Sequence, residues 1–225
     1  MKYGLGELMN GGLVETAAQV DAPEERRIFG VAPAQVLNNL DETNLGRVQL
    51  RLPWLPGYEP WARVAVLMAG DSRGSYFIPQ VGDEVLVAFN QGDVREPFVI
   101  GSLWNGQDQP PAQDPQDPIG TRLIRTPAGH EISFDDDLGS ITITSVDQHT
   151  ITIDPEKIEI STADGTSVVT LESAGKISLQ ADVEIDLQAP TISIQGDTLQ
   201  IKGSASASID GGGLCEIQAG LVKIN

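Results

Sequence analysis

The stretch that decides the fold is KISLQADVEIDLQAPTISIQGDTLQIKG, residues 176–203. It alternates apolar and polar residues, which is the two-residue period of a strand with one buried face. Ile177, Ile185, Ile192 and Leu199 begin successive apolar pairs, at steps of 8, 7 and 7 residues. Turn-prone pieces such as SAGK and QGD separate the pairs. The short period predicts a β repeat, and internal repetition of this kind usually fixes the architecture.

The same alternation runs through residues 121–225, which we predict to form one β-helical shaft. A ribbon of such strands cannot bury its apolar face alone, and it leaves strand edges unpaired. One chain could coil into a solenoid with roughly 20 or more residues per turn. Alternatively, three identical chains could wrap together, each forming one wall of a prism. The apolar face is narrow and has no aromatic residue after Phe134, which favours the intertwined, triple-stranded homotrimer. The predicted trimer core is Ile151, Ile153, Ile177, Leu179, Ile185, Leu187, Ile192, Ile194, Leu199 and Ile201.

Residues 27–105 have a different character, with short apolar strands separated by turn signals such as PGYEP and NQGDVREP. About five strands at this spacing predict a small barrel such as an OB-fold. All three tryptophans fall in this piece, as expected if it holds the conventional core. The proline-rich segment GQDQPPAQDPQDPIG, residues 106–120, predicts an extended linker, and residues 1–26 predict an N-terminal arm that contacts a neighbour.

Composition narrows the possible functions. The chain has 14 Lys and Arg against 32 Asp and Glu, a net charge of −18. Nucleic-acid binding needs clustered cations, so none is expected, and an anionic membrane would repel the surface. The single cysteine, Cys215, excludes an intrachain disulfide. The N-terminus MKYGLGELMN lacks a signal-peptide pattern, so we expect synthesis in a cytoplasm.

The sequence contains only weak candidates for catalytic or metal-binding sites. His149 shares parity with Ile151 and Ile153, so an alternative is an axial metal site on the threefold axis. Asp135, Asp136 and Asp137 lack the spacing of a calcium loop and fit a solvated turn. Cys215 has no activating base nearby, and GDSRGS at residues 70–75 lacks the spacing of a nucleophile turn and fits a barrel loop. We therefore predict no catalytic residue, no metal and no cofactor.

Several spaced motifs resemble a known family. They are GRVQLRLPW, WARV, IPQVGDEVLVAF and PFVIGSLWNG within residues 46–106, followed by RTPAGHEISFDDD at residues 125–137. Together they resemble phage baseplate assembly protein V and the VgrG spike proteins of contractile injection systems.

The resemblance implies a non-enzymatic central spike, assembled as a homotrimer in a phage tail or contractile injection particle after synthesis in a bacterial cytoplasm. The OB-fold collar is expected to attach to a trimeric hub, with the inner tube and baseplate as indirect partners. Sheath contraction would drive the spike through a target membrane, which it meets only on penetration. The resemblance also implies a PAAR-repeat tip protein, docked on Gly220, Leu221, Val222, Lys223, Ile224 and Asn225.

Two departures from the family pattern carry expectations. About 26 residues precede the barrel, so the hub is expected to be a separate protein, and the short linker leaves no room for a lysozyme domain. Alternatives to the spike are a single-chain β-solenoid enzyme and a receptor-binding fibre. The enzyme would want aromatic sugar platforms, and residues 135–225 contain no aromatic residue. The fibre would need a variable tip domain.

Overall fold

The computed structural model describes residues 27–111 and 119–224 of the chain. The predicted arm over residues 1–26, linker residues 112–118 and the predicted tip residue Asn225 lie outside the described residues. The described part is all-β apart from a single 3-10 turn at Asn90–Gly92. Its strands are β1 Val31–Asn38, β2 Val48–Arg51, β3 Trp61–Val64, β4 Ala69–Gly70, β5 Arg73–Gly74, β6 Glu84–Phe89, β7 Pro97–Leu103, β8 Thr121–Arg125, β9 Glu131–Asp135, β10 Ser140–Thr144, β11 Thr150–Ile153, β12 Lys157–Ser161, β13 Ser167–Glu172 and β14 Lys176–Ala181.

Five of these strands close a barrel in the order β1-β2-β3-β7-β6. Strands β3 and β7 run parallel, and the other neighbours run antiparallel. In β1 every second residue points inward, so Ala32, Ala34 and Val36 are buried between exposed neighbours. Closure leaves no unpaired edge in the barrel. The prediction of an all-β chain with an OB-type barrel is confirmed.

The barrel holds the buried core of the described residues. Its members are Ala32, Ala34, Val36, Val48, Leu50, Leu52, Leu55, Ala62, Val85, Val87, Phe89, Val94 and Val99. Trp54 packs edge-to-face against Phe89, with ring centroids 5.9 Å apart. Trp104, just beyond β7, is 69% exposed, so the tryptophans are not all core residues as the sequence had indicated.

The loop between β1 and β2 is organised by Asp41, whose side chain is only 4% exposed. Its carboxylate accepts hydrogen bonds from the backbone N–H of Leu45 at 3.0 Å and of Arg47 at 3.1 Å. The guanidinium of Arg47 also donates to it, at 2.9 Å. This side-chain hydrogen bond from Arg47 holds the pKa of Asp41 well below its usual range, against the opposing effect of burial.

The second sheet is a meander, which we define as β8–β14. Each strand pairs antiparallel with the next, in the unbroken order β8 to β14. Tight hairpins connect the strands, and Gly129, Gly139, Gly165 and Gly175 adopt the positive φ that these turns need. The sheet is open at both edges, so one chain does not close it.

Residues 182–224, the extended segment, follow β14 and form no strand within one chain. Bends recur at residues 182, 190, 197, 204, 212 and 220, at the seven- to eight-residue period of the sequence. The single predicted shaft thus divides at Ala181 into the meander and the extended segment. Strand assignment requires ladder hydrogen bonds, and no strand among the described residues of the same chain supplies them to the extended segment.

Candidate assembly surface

One face of the meander is lined by two rows of apolar side chains in register. In direct pairings such as Ile132 with Ile143 and Ile153 with Ile158, apolar side chains lie next to each other on neighbouring strands, which are about 4.8 Å apart. We call the two rows together the apolar face. The first row is Ile124, Ile132, Ile143, Ile151, Ile160, Val169 and Leu179, and the second is Phe134, Ile141, Ile153, Ile158, Leu171 and Ile177.

The apolar face is largely uncovered by the rest of the chain that the structure describes. Apart from the half-buried Val169, its side chains are 37–72% exposed. Monomeric soluble proteins rarely leave a contiguous apolar patch of this extent open to water. The face is therefore a surface built for burial against something else.

The opposite face of the meander is polar. Thr142, Thr152 and Thr170 lie along its centre, because they alternate with the apolar rows. The cations of β8–β14 each pair with an acid. These ion pairs are Arg122 with Asp136, Arg125 with Glu131, Lys157 with Glu159 and Lys176 with Glu172. Three of these pairs lie on the polar face, where charge is neutralised locally. The fourth, Arg122 with Asp136, lies at the edge of the apolar rows, because Arg122 is paired with Phe134.

Both histidines brace hairpin turns at one end of the meander. The Nδ1 atom of His130 accepts the backbone N–H of Val146 at 3.2 Å. The Nδ1 atom of His149 accepts the backbone N–H of Ala163 at 3.1 Å, one hairpin further along. Each imidazole therefore links its own turn to the next turn at the same end of the sheet.

This bonding bears on the alternative of a metal at His149. An Nδ1 that accepts a hydrogen bond leaves the proton of the neutral ring on Nε2, and a protonated nitrogen is no metal ligand. Within residues 27–111 and 119–224 of one chain, no three His, Cys, Asp or Glu side chains converge, but an axial site would take His149 from three chains and stays a prediction. Asp135, from the acidic cluster, accepts the backbone N–H of Leu138 at 2.8 Å, as expected of a turn residue.

The acidic turn residues are held by backbone donors. Asp154 accepts the N–H groups of Glu156 and Lys157, both at 2.8 Å, and these bonds lower the pKa of Asp154. The N–H of Thr166 and the hydroxyl of Thr162 similarly lower the pKa of Asp164. Ionised carboxylates thus stabilise the turns that fix the register of the meander.

The structure places the predicted core residues in two settings. Ile151, Ile153, Ile177 and Leu179 lie together on the apolar face. The remaining predicted core residues, Ile185, Leu187, Ile192, Ile194, Leu199 and Ile201, lie exposed in the extended segment. The predicted tip residues Gly220, Leu221, Val222, Lys223 and Ile224 are also exposed there and form no strand.

A second apolar surface was missed by sequence reasoning. The segment around GDSRGS forms a hairpin of β4 and β5 that stands outside the barrel. Leu67, Met68, Tyr76 and Phe77 flank its strands and are exposed. The apolar pieces VLM and YF on either side of GDSRGS could have indicated this surface. The turn residues between them led to the prediction of an ordinary barrel loop instead.

Among the described residues, no helix has the length and apolar character needed to cross a membrane.

Comparison with known proteins gives a family for the barrel. Residues 32–104 match the model of the type VI secretion system/phage-baseplate injector OB domain. That range spans all five barrel strands from within β1 to the end of β7.

Curated relatives extend the likeness. The type VI secretion system spike protein VgrG3 of Vibrio cholerae is 33% identical over 133 residues, which covers 54% of this chain and 13% of the relative. The actin cross-linking toxin VgrG1 of Vibrio cholerae is 33% identical over 131 residues, covering 54% and 12%. The spike protein VgrG2a of Pseudomonas aeruginosa is 28% identical over 141 residues, covering 58% and 16%. The chain spans only a small part of the length of the relatives it matches. Its barrel is similar to the OB domain of the phage-baseplate injector family, and the chain resembles VgrG-type baseplate and spike proteins.

Proposed function

We propose that this chain is the non-enzymatic central spike of a contractile tail or injection system and works as a homotrimer. The barrel attaches to a trimeric hub. Residues 121–225 form the β-helical shaft, with one meander per chain as a wall of the prism and the extended segments of three chains intertwined, and Gly220–Asn225 receive a PAAR-type tip. Contraction of the sheath drives the assembled spike through the target envelope.

The observation that carries this proposal is the apolar face. Completing the burial of its side chains contributes about 1 kcal/mol each, on the order of 10 kcal/mol per chain. That gain is comparable with the entropic cost of association, about 4–15 kcal/mol. A face that is in register across all seven strands gives a copy of itself a matching surface, which a threefold prism supplies.

The extended segment supports intertwining in particular. Its alternating apolar residues and regular bends suit strands, yet its backbone has almost no partner in its own chain. Strands contributed by two other chains would complete its ladders and cover its apolar side chains. The resulting prism would be stiff, because rotating one strand breaks hydrogen bonds on both sides.

The connectivity argues against the single-chain solenoid. A solenoid stacks each strand on its counterpart one turn later, with parallel pairing. The described pairings of β8–β14 are all antiparallel and join consecutive strands. No coil is begun within that meander, so the enzyme alternative loses its scaffold.

The remaining partners follow from this role. The inner tube and baseplate are reached through the hub, and the target membrane is met only on penetration. The protein is made in the bacterial cytoplasm and works in the assembled phage tail or injection particle. Among the relatives, the names that describe spike proteins agree with a structural role.

Light scattering on the full chain tests the proposal. We expect a mass three times the 24.0-kDa chain mass, retained at low protein concentration and in mild detergent. A monomeric mass would overturn the spike, because the apolar face and the extended segment would then stay uncovered.

A further inference from the structure

The β4–β5 hairpin is a defined structure with an unexplained apolar surface. Its strands pair Ala69 with Gly74, and the N–H of Ser75 donates to the carbonyl of Met68 at 3.0 Å. Gly74 has a φ of 156°, and a Cβ there would lie 2.6 Å from the Met68 carbonyl oxygen. The hairpin therefore needs glycine at this position, and its backbone is closely fitted rather than a loose loop.

The apolar side chains that flank the hairpin are unusually exposed to solvent. Leu67 is 100% exposed, and Met68, Tyr76 and Phe77 are also exposed. A hairpin this short is marginal on its own, so an apolar surface on it costs stability unless something covers it.

Phe77 indicates what covers it. Its ring lines a cavity of ≈600 Å³ together with the apolar face, including Ile124, Ile132 and Ile143. The hairpin therefore lies beside the turn end of the meander, where His130 and His149 also line the cavity. Leu67 and Met68 do not line this cavity, so their side chains remain available to a second copy of the same apolar face.

We infer that the β4–β5 hairpin is a contact between copies of this chain, with Leu67 and Met68 packing on a neighbouring chain's meander near the barrel. The inference rests on the proposed homotrimer. Three hairpins would then close the barrel end of the prism.

The contact has a mechanical consequence. The covalent connection from barrel to meander is the proline-rich segment of residues 106–120. Hairpins wedged between barrel and meander would carry axial force through packed side chains, in parallel with that covalent connection.

Cysteine labelling tests the contact in the full chain. In a Cys215→Ser background, Leu67→Cys is compared with Val81→Cys, an exposed barrel position that does not line the cavity. We expect the thiol at position 67 to react with a maleimide about tenfold more slowly than the thiol at position 81, because burial limits access to reagents. The two rates should become equal in denaturant.

Light scattering on the same samples separates the possible failures. A trimer in which both thiols react equally fast overturns the hairpin contact but leaves the spike standing. A monomer overturns both. As a second measurement, Leu67→Ser should lower the melting temperature of the trimer more than Val81→Ser does, and equal melting temperatures would count against the contact.

Discussion

The barrel and the meander both contain about a dozen apolar side chains that point to one side, but they use them differently. The barrel encloses its set within one chain, with every core residue at most 9% exposed. The meander displays its set on an open face. The difference lies in closure. In the barrel, β6 pairs with β1 and so closes the sheet, whereas β8 and β14 are unpaired edges of the meander among the described residues. The stability of the barrel should thus depend only weakly on protein concentration, through the inferred hairpin contact, while that of the meander should depend strongly on assembly.

The largest expected effect comes from placing a charge on the apolar face. Ile151→Asp should abolish the trimer, because three unpaired carboxylates would be buried near the threefold axis at a cost of several kcal/mol each. Light scattering should then give the monomer mass. Intrinsic tryptophan fluorescence should stay native, since the tryptophans belong to residues 27–105.

Thr142→Asp is the matched control, because Thr142 lies on the polar face beside the uncharged Ser133 and Thr152. It should leave the trimer mass unchanged. Loss of the trimer in both variants would show that the meander tolerates no added charge at all, and the distinction between the two faces would fail.

A smaller effect is expected when a cavity is made in the barrel. Leu50 is fully buried, so Leu50→Ala should lower the free energy of unfolding of the barrel by about 2–5 kcal/mol. Chemical denaturation followed by tryptophan fluorescence measures this loss. The barrel midpoint should move little with protein concentration, whereas the meander midpoint, followed by circular dichroism, should rise steeply with it. A barrel midpoint that rises as steeply as the meander midpoint would contradict the division into a closed and an open sheet.

The barrel was predictable because its alternation is bounded by strong turns. The division at Ala181 was not, because alternation is the same on both sides of it. Ile177 and Leu179 belong to a sheet within one chain, whereas Ile185 and Leu187 do not. A two-residue period specifies which side chains share a face but not which chain supplies the paired strand.

Turn chemistry carries the missing information. Before β14 the sequence SAGK supplies Gly175 at positive φ, and its N–H donates to the carbonyl of Glu172, so the chain reverses within a few residues. After Ala181 the next bend, at residues 182–183, lacks glycine and forms no hairpin. The face of the strand on which His149 lies could likewise be predicted from its spacing to Ile151. Its hydrogen bond with the N–H of Ala163 could not, because that bond depends on where the next turn at the same end of the sheet lies.

The smallest effect is the pH dependence that Asp41 gives to the stability of the barrel. Because the folded-state pKa of Asp41 is depressed, its contribution to stability is present above the unfolded-state value near 3.9 and declines as the pH falls toward the folded value. Asp41→Asn removes the titrating carboxylate and turns an amide toward the Arg47 donors. The variant should therefore melt below the wild type at pH 7, and the difference in melting temperature should narrow as the pH falls below about 4.

Glu42→Gln is the control, since no hydrogen bond of Glu42 is found within the described residues. Its substitution should change the melting temperature neither at pH 7 nor at pH 3. A gap between wild type and Asp41→Asn that is constant from pH 7 to pH 3 would mean that the Asp41 network stabilises the loop by packing rather than by charge.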